Sequence, residues 1–200
     1  MPYCSSSSTP EKYFEILFPA SGPSIGSIIS QQLLPAAATI CEVGNLTEYQ
    51  LLRNMAVKRF GGTANHVVAE QVIKACLLMP AEPEFIGYLG HFESLLIAAE
   101  AHAPAVSGYE IHYAAWRGFA MALMKFRQGR HDSALEWITK CLKREGQQNR
   151  ARDAMCLTLR AMIRQQRGQR DEAAADLEAA HALVRPQFSP VVRIFDQGEP

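Results

Sequence analysis

The 200-residue sequence predicts an all-α fold, an α-solenoid of about four antiparallel helix pairs. Apolar residues recur at helical spacing along most of the chain, and no stretch alternates as a half-buried strand would. One turn pattern also recurs. It stands as Phe126-Arg127-Gln128-Gly129-Arg130-His131-Asp132-Ser133-Ala134, again as Arg167-Gly168-Gln169-Arg170-Asp171-Glu172-Ala173, and more faintly as Val43-Gly44-Asn45-Leu46-Thr47-Glu48-Tyr49. Finally, Gly129 and Gly168 are 39 residues apart, and Gly44 lies 85 before Gly129, which leaves room for one further pair between them. A period of roughly 35–45 residues is the mark of stacked helical hairpins.

The sequence divides into a Ser/Pro-rich lead-in over 1–23, a helical repeat region over 24–186 and a tail over 187–200. The lead-in ends at Ser21-Gly22-Pro23, and within it Tyr13 to Phe18 could dock as a short segment. A helix is predicted from about Ser27 to Val43. Pro35 either stands in the first turn of a helix starting near Leu34 or kinks a longer one. Gly44-Asn45 suits a helix end, and the next helix runs to about Phe60. Gly61-Gly62-Thr63-Ala64-Asn65 breaks the chain, with Asn65 or Thr63 as N-cap. The following helix turns Val68, Val72, Ile73, Cys76 and Leu77 inward and stops at Pro80-Ala81-Glu82-Pro83. A further helix is predicted from Phe85 to His102, burying Ile86, Leu89, Phe92, Leu96 and Ala99, with a loop from Pro104 to Gly108. Two clear hairpins follow. Tyr109–Gln128 pairs with Asp132–Arg144, whose inner stripe is Ala134, Leu135, Ile138, Cys141 and Leu142. Asn149–Arg167 pairs with Asp171–Val184, whose stripe is Ala173, Ala174, Leu177 and Ala180. Pro186 and Pro190 are expected to end helical structure.

Composition limits the function classes. Lys+Arg and Asp+Glu are 20 each, so the formal net charge is zero and argues for neither nucleic acid nor an anionic membrane. The charge is unevenly placed: 125–170 holds twelve basic and four acidic residues, against six and ten in 1–124 and two and six in 171–200. The five cysteines are an odd number with no Cys-x-x-Cys pair, the pattern of a reducing compartment. No charge occurs from Ile16 to Cys41, but Pro19, Pro23, Pro35, four serines and Gln31-Gln32 suit a spanning helix poorly. With no early Lys or Arg for a signal peptide, the expectation is a cytoplasmic protein.

The last two units resemble the tetratricopeptide repeat. A small residue stands fifth after each hairpin glycine, Ala134 and Ala173, and another seven further on, Cys141 and Ala180; a breaker closes each unit, Gly146 and Pro186. In that family these are close-contact positions of the second helix. From about Leu34 onward the chain also resembles the helical C-terminal region of large bacterial multidomain proteins that carry a serine/threonine kinase domain upstream. The residues concerned are Gly44-Asn45-Leu46 with Tyr49, Arg59-Phe60-Gly61-Gly62-Thr63, Val68-Ala69-Glu70, Lys74 to Pro80, and the Gly129-Arg130 unit with Ala134-Leu135-Glu136-Trp137. Some positions depart from the repeat: where it usually carries Leu, Tyr and Leu, this chain has Met121, Lys125 and Gln128, then Arg160, Arg164 and Arg167. The sequence contains no kinase Gly-rich loop, His-Arg-Asp or Asp-Phe-Gly.

The six histidines include no pair three or four apart, so no metal site is predicted. No Gly-x-Ser-x-Gly is present. Cys156 has Arg152 and Arg160 at i−4 and i+4, which could lower its pKa, although a cysteine in a helix usually just packs. Gly61-Gly62-Thr63 opens a helix but lacks a following Gly-Lys-Ser/Thr, so a capped turn is the plainer reading. No cofactor, small-molecule substrate or catalytic residue is assigned, and the chain is read as a non-enzyme. Arg160, Arg164 and Arg167 at i, i+4, i+7 share one helical face. They form either a solvated strip offset by the acidic last helix or a groove for an acidic peptide, since Arg forks fit carboxylates. Strong overall basicity is missing, which weighs against nucleic acid. In the repeat family the first helices line the concave, peptide-holding face, and the resemblance places Trp116 and Phe119 there. The candidate partner-binding residues are therefore Trp116, Phe119, Arg160, Arg164 and Arg167. The implied function is a protein- or peptide-binding scaffold. The alternative is a residual or regulatory segment of a kinase-type signalling protein.

Overall fold

The computed structural model describes residues 30–101, 109–143 and 149–195, and the side chains of all but 109–112 and 186–195 among them. Every regular element among these is a helix. In chain order they are α1 Leu33–Glu42, α2 Leu46–Phe60, α3 His66–Cys76, α4 Pro83–Tyr88, α5 Gly90–Ala101, α6 Tyr109–Arg127, α7 His131–Lys143, α8 Arg150–Gln166 and α9 Arg170–Phe195. The chain forms two compact units, one up to Ala99 and one from Glu100 onward. The predicted lead-in, the Pro104–Gly108 loop, the Gly146 breaker and the last five residues of the tail lie outside the described residues.

In the first unit α1, α2 and α3 pack on one another. Pro35 stands in the first turn of α1, the first of the two alternatives, where its missing N–H leaves no bond unmade. Asn45 caps α2, its Oδ1 accepting from the Glu48 N–H at 3.1 Å. Asn65 caps α3, accepting from the Val67 N–H at 2.8 Å. The residues predicted inward on α3 (Val68, Val72, Ile73, Cys76 and Leu77) are all buried, but so are Glu70, Gln71 and Lys74. This helix is wrapped on every side, so its polar residues find partners inside. Glu70 and Lys74 form an ion pair at 2.6 Å, one turn apart, and Gln71 accepts from the Ser30 hydroxyl.

The single helix predicted from Phe85 to His102 is instead two. α4 starts earlier, with Pro83 in its first turn, and ends at Leu89; α5 begins at Gly90. Gly87 and Gly90 flank the break, and glycine weakens a helix interior by about 1 kcal/mol each. Leu89, at the corner, is buried, as are Phe92 and Leu96, whereas Ile86 and Ala99, also predicted inward, are half-buried.

In the second unit α6 packs with α7 and α8 with α9, while α8 also lies against both α6 and α7. The inner stripe of α7 is as predicted at Ala134, Ile138 and Cys141, each with no exposed surface. Close approach is built into α6: a Cβ on Gly118 would stand 3.3 Å from the Cys141 Cβ. On α9 the prediction fails at two of its four positions. Ala174 is exposed and Leu177 is 41% exposed, while Asp176 is buried at 4%. Ala173, Asp176 and Ala180 form the inward ridge, because Asp176 has cationic partners on α8 that Leu177 could not serve. The helix also runs past Pro186 and Pro190, where the sequence predicts its end, and reaches Phe195. A proline removes its own N–H bond and can kink a helix without terminating it.

Each predicted hairpin glycine is left-handed, and no other described residue is: Gly44 at φ 73°, Gly129 at 72° and Gly168 at 77°. All three close the preceding helix with the same pair of bonds. The glycine N–H donates to the carbonyl three back (Cys41, 3.1 Å; Phe126, 2.9 Å; Gln165, 3.1 Å). The next N–H donates to the carbonyl five back (Ile40, 3.2 Å; Lys125, 2.9 Å; Arg164, 3.0 Å). This double closure needs a left-handed residue at its corner, which only glycine adopts without strain.

Candidate partner-binding site

The predicted basic strip lies on α8, and the structure splits it. Arg160 faces α9 and forks onto Asp176, with Nε donating to Oδ2 at 2.8 Å and Nη2 to Oδ1 at 2.5 Å. Arg164 donates from Nη1 to the same Oδ2 at 2.8 Å and to the Glu172 carbonyl at 3.3 Å. One carboxylate thus holds two guanidiniums, leaving one positive charge on the group. The bonds to Asp176 raise the pKa of Arg160, more than burial lowers it. Arg167 turns elsewhere and donates from Nη2 to Asp132 Oδ1 at 2.7 Å, a pair whose acidic partner is 90% exposed. An incoming acidic peptide would meet arginines already engaged by this chain's own carboxylates.

The predicted aromatic pair lies on α6. Trp116 is half-buried and meets Phe119 edge to face, with centroids 6.5 Å apart and planes at 84°. Phe119 is only 4% exposed, so it supports Trp116 from beneath and offers almost no surface of its own. Of the five predicted residues the structure brings together two pairs, Trp116 with Phe119 and Arg160 with Arg164; Arg167 stands apart.

The predicted lowering of the Cys156 pKa is overturned. Its thiol lies 3.3 Å from the Cys141 Sγ. The hydrogen bond with Cys141, followed by burial, pushes it up against the weaker pull of Arg152. Arg152 itself is buried and directs Nε and Nη2 to Asp153 at 3.1 and 2.8 Å. Among the described residues no group of three or more His, Cys, Asp or Glu side chains could hold a metal ion. Among them, too, no helix is long and apolar enough to cross a membrane.

Sequence reading missed a second constellation, in the first unit. Tyr49 and Arg53, one turn apart on α2, close over the C-terminal end of α3. The Tyr49 hydroxyl donates to the Ala75 carbonyl at 2.9 Å and accepts from the Met79 N–H at 3.3 Å. Arg53 donates from Nε to the Cys76 carbonyl at 2.8 Å, and from Nη2 to the carbonyls of Met79 and Pro80 at 2.5 and 2.8 Å. Its guanidinium lies 4.3 Å from the Tyr49 ring centroid and 5.5 Å from that of Phe85. A cation at the negative end of a helix, bonded to carbonyls the helix cannot itself satisfy, is favourable on both counts. Burial pushes the pKa of Tyr49 up, and that of Cys76 up to about 12. The signal available in sequence was the i, i+4 spacing of Tyr49 and Arg53 on a helix facing Pro80, whose missing N–H marks a chain stop.

Comparison with known proteins found no family model, curated protein or solved structure that matches the chain.

Proposed function

We propose that this chain is a non-enzymatic, cytoplasmic scaffold of the tetratricopeptide type, which binds a protein or an acidic peptide. The observation that carries this reading is the turn repeated at Gly44, Gly129 and Gly168. It is supported by the buried small residues at the fifth and twelfth positions after the last two glycines, Ala134 with Cys141 and Ala173 with Ala180. A further support is α8, which touches both helices of the preceding hairpin, as stacked helix pairs do. The four described cysteines are free thiols, in keeping with a reducing compartment. The surface offered to a partner is Trp116, the residual positive charge around Arg160 and Arg164, and Arg167 on its exposed pair.

The test is affinity capture from host lysate, split into nuclease-treated and untreated halves and read by mass spectrometry. The expected result is a protein retained in both halves by the native chain and lost from Trp116→Ala and Arg167→Glu, with helicity by circular dichroism unchanged. Nothing retained by the native chain would sink the scaffold reading, and retention that vanishes with nuclease would move it to nucleic acid.

A second reading is a residual or regulatory segment of a bacterial serine/threonine kinase-type signalling protein. It is favoured by part of the resembling set: Tyr49, Phe60, Val68-Ala69-Glu70 and Lys74 to Leu77 are buried around α2 and α3, while Gly44, Leu46, Gly61, Gly62 and Pro80 are exposed. A neighbouring coding sequence without a catalytic domain would count against it.

A further inference from the structure

Two buried thiols meet between the second unit's hairpins. Cys141 comes from α7 and Cys156 from α8, and neither has exposed surface. Their Sγ atoms are 3.3 Å apart, with the Cys156 S–H donating. Cys141 in turn donates to the Ala115 carbonyl on α6 at 3.2 Å. The α6 backbone also comes close at Gly118, where a Cβ would stand 3.3 Å from the Cys141 Cβ. Its seat is also distinctive. The residue twelve after each hairpin glycine is Ala56, Cys141 or Ala180, buried in all three cases. The sulfur appears only in the helix that faces a second cysteine. Alanine satisfies the packing at the other two, so packing alone does not call for a thiol here.

We propose that Cys141 and Cys156 form a reversible disulfide, a redox modification site that staples α7 to α8 under a two-electron oxidant of the peroxide class. The inference is independent of the scaffold reading. At rest, burial and the hydrogen bond to Cys141 keep the Cys156 proton in place, so reaction waits for a local opening of the two helices. The exposed sulfur then attacks the peroxide. A sulfur–oxygen bond forms, the oxygen–oxygen bond breaks, and the thiol proton leaves with the departing oxygen as water. The product is a sulfenic acid. When the helices close, the 3.3 Å contact presents the other sulfur. The sulfur–sulfur bond forms, the sulfur–oxygen bond breaks, and a second water carries away the second thiol proton. The two thiols give up one electron pair in all, and peroxide is reduced to two waters. The link joins positions 15 residues apart and restricts the unfolded chain.

The experiment is to titrate the full chain with hydrogen peroxide, block residual thiols with an alkylating agent under denaturing conditions, and map the peptides by mass spectrometry without reduction. The expected product is one cross-linked pair containing Cys141 and Cys156, lighter by two hydrogens and lost on treatment with dithiothreitol. In the same samples the thermal midpoint should rise by roughly 6–12 °C and return on reduction. Two results would overturn the proposal: Cys141 and Cys156 both fully alkylated at peroxide levels that oxidise the half-exposed Cys41, or cross-links that run instead to Cys4, Cys41 or Cys76. A cross-link between the pair without a shift in midpoint would overturn the staple. The map uses the native chain, so it does not depend on a variant that folds; Cys156→Ala is the added control and should leave Cys141 uncross-linked.

Discussion

The two units share one turn and use it differently. Gly44, Gly129 and Gly168 close their helices with the same two bonds and the same left-handed corner. Five residues on, the second unit places Ala134 and Ala173, whereas the first places Tyr49; all three are buried. The alanines are small and reach no polar partner, and one turn on from Ile138 the helices come close where Gly118 meets Cys141. The tyrosine instead reaches over and, with Arg53, satisfies the end of α3. The turn therefore sets where a hairpin bends, while the fifth residue sets whether the next contact is made by packing or by polar capture.

Removing the capture should have the largest effect. Arg53→Ala strips three carbonyls of α3's end of a buried charged donor, and is expected to cost about 3–4 kcal/mol. Urea unfolding measures the loss, and hydrogen exchange should show reduced protection across 66–77. Unchanged protection there would break the contrast between the units. Next comes Asp176→Asn in the second unit. It leaves Arg160 and Arg164 facing each other across a neutral group and should cost about 2–3 kcal/mol by the same measurement. A smaller cost would mean that this ridge too is held by packing alone.

The alkaline limb of stability sharpens the contrast further. Burial raises the Cys76 thiol from 9.0 to about 12, so the folded state holds a proton that the unfolded chain releases. Its contribution is complete below about pH 9 and is lost as pH rises from there towards 12. Between pH 8 and pH 10, Cys76→Ala should flatten the fall in stability by about 1.4 kcal/mol, measured by urea unfolding at each pH. The smallest expected effect concerns what the units share. Gly44→Ala, Gly129→Ala and Gly168→Ala meet no atom within 4 Å, so only the left-handed corner is penalised. Each should cost about 1 kcal/mol, and equally. Unequal costs would mean that the three turns are alike in geometry but not in energy.

Much of this was legible in the sequence because it is local. A glycine that ends one apolar stripe and precedes another announces a turn within a few residues, and all three such glycines take the left-handed corner. The Asn65 cap and the inward face of α3 are read in the same way. The break at Leu89 was signalled by Gly87 and Gly90 but masked by apolar periodicity running across it. Asp176 was illegible because a periodicity count sees only apolar residues, and its burial depends on arginines 12 and 16 positions earlier. The reach of Arg53 to Cys76, Met79 and Pro80 spans 23 to 27 residues, and the Cys141–Cys156 contact spans 15, so neither leaves a local pattern. The candidate strip was found as a charge pattern, while its engagement with Asp176 and Asp132 is tertiary.

The capture of α3's end has a consequence for synthesis. Tyr49 and Arg53 precede the carbonyls they bind, so a growing chain leaves the ribosome with its clasp already made. As 75–80 emerges, α3 can be finished against α2 at once, before the second unit has left the ribosome. A helix that ends without a glycine corner of its own is in this way completed by a neighbour that is always there first.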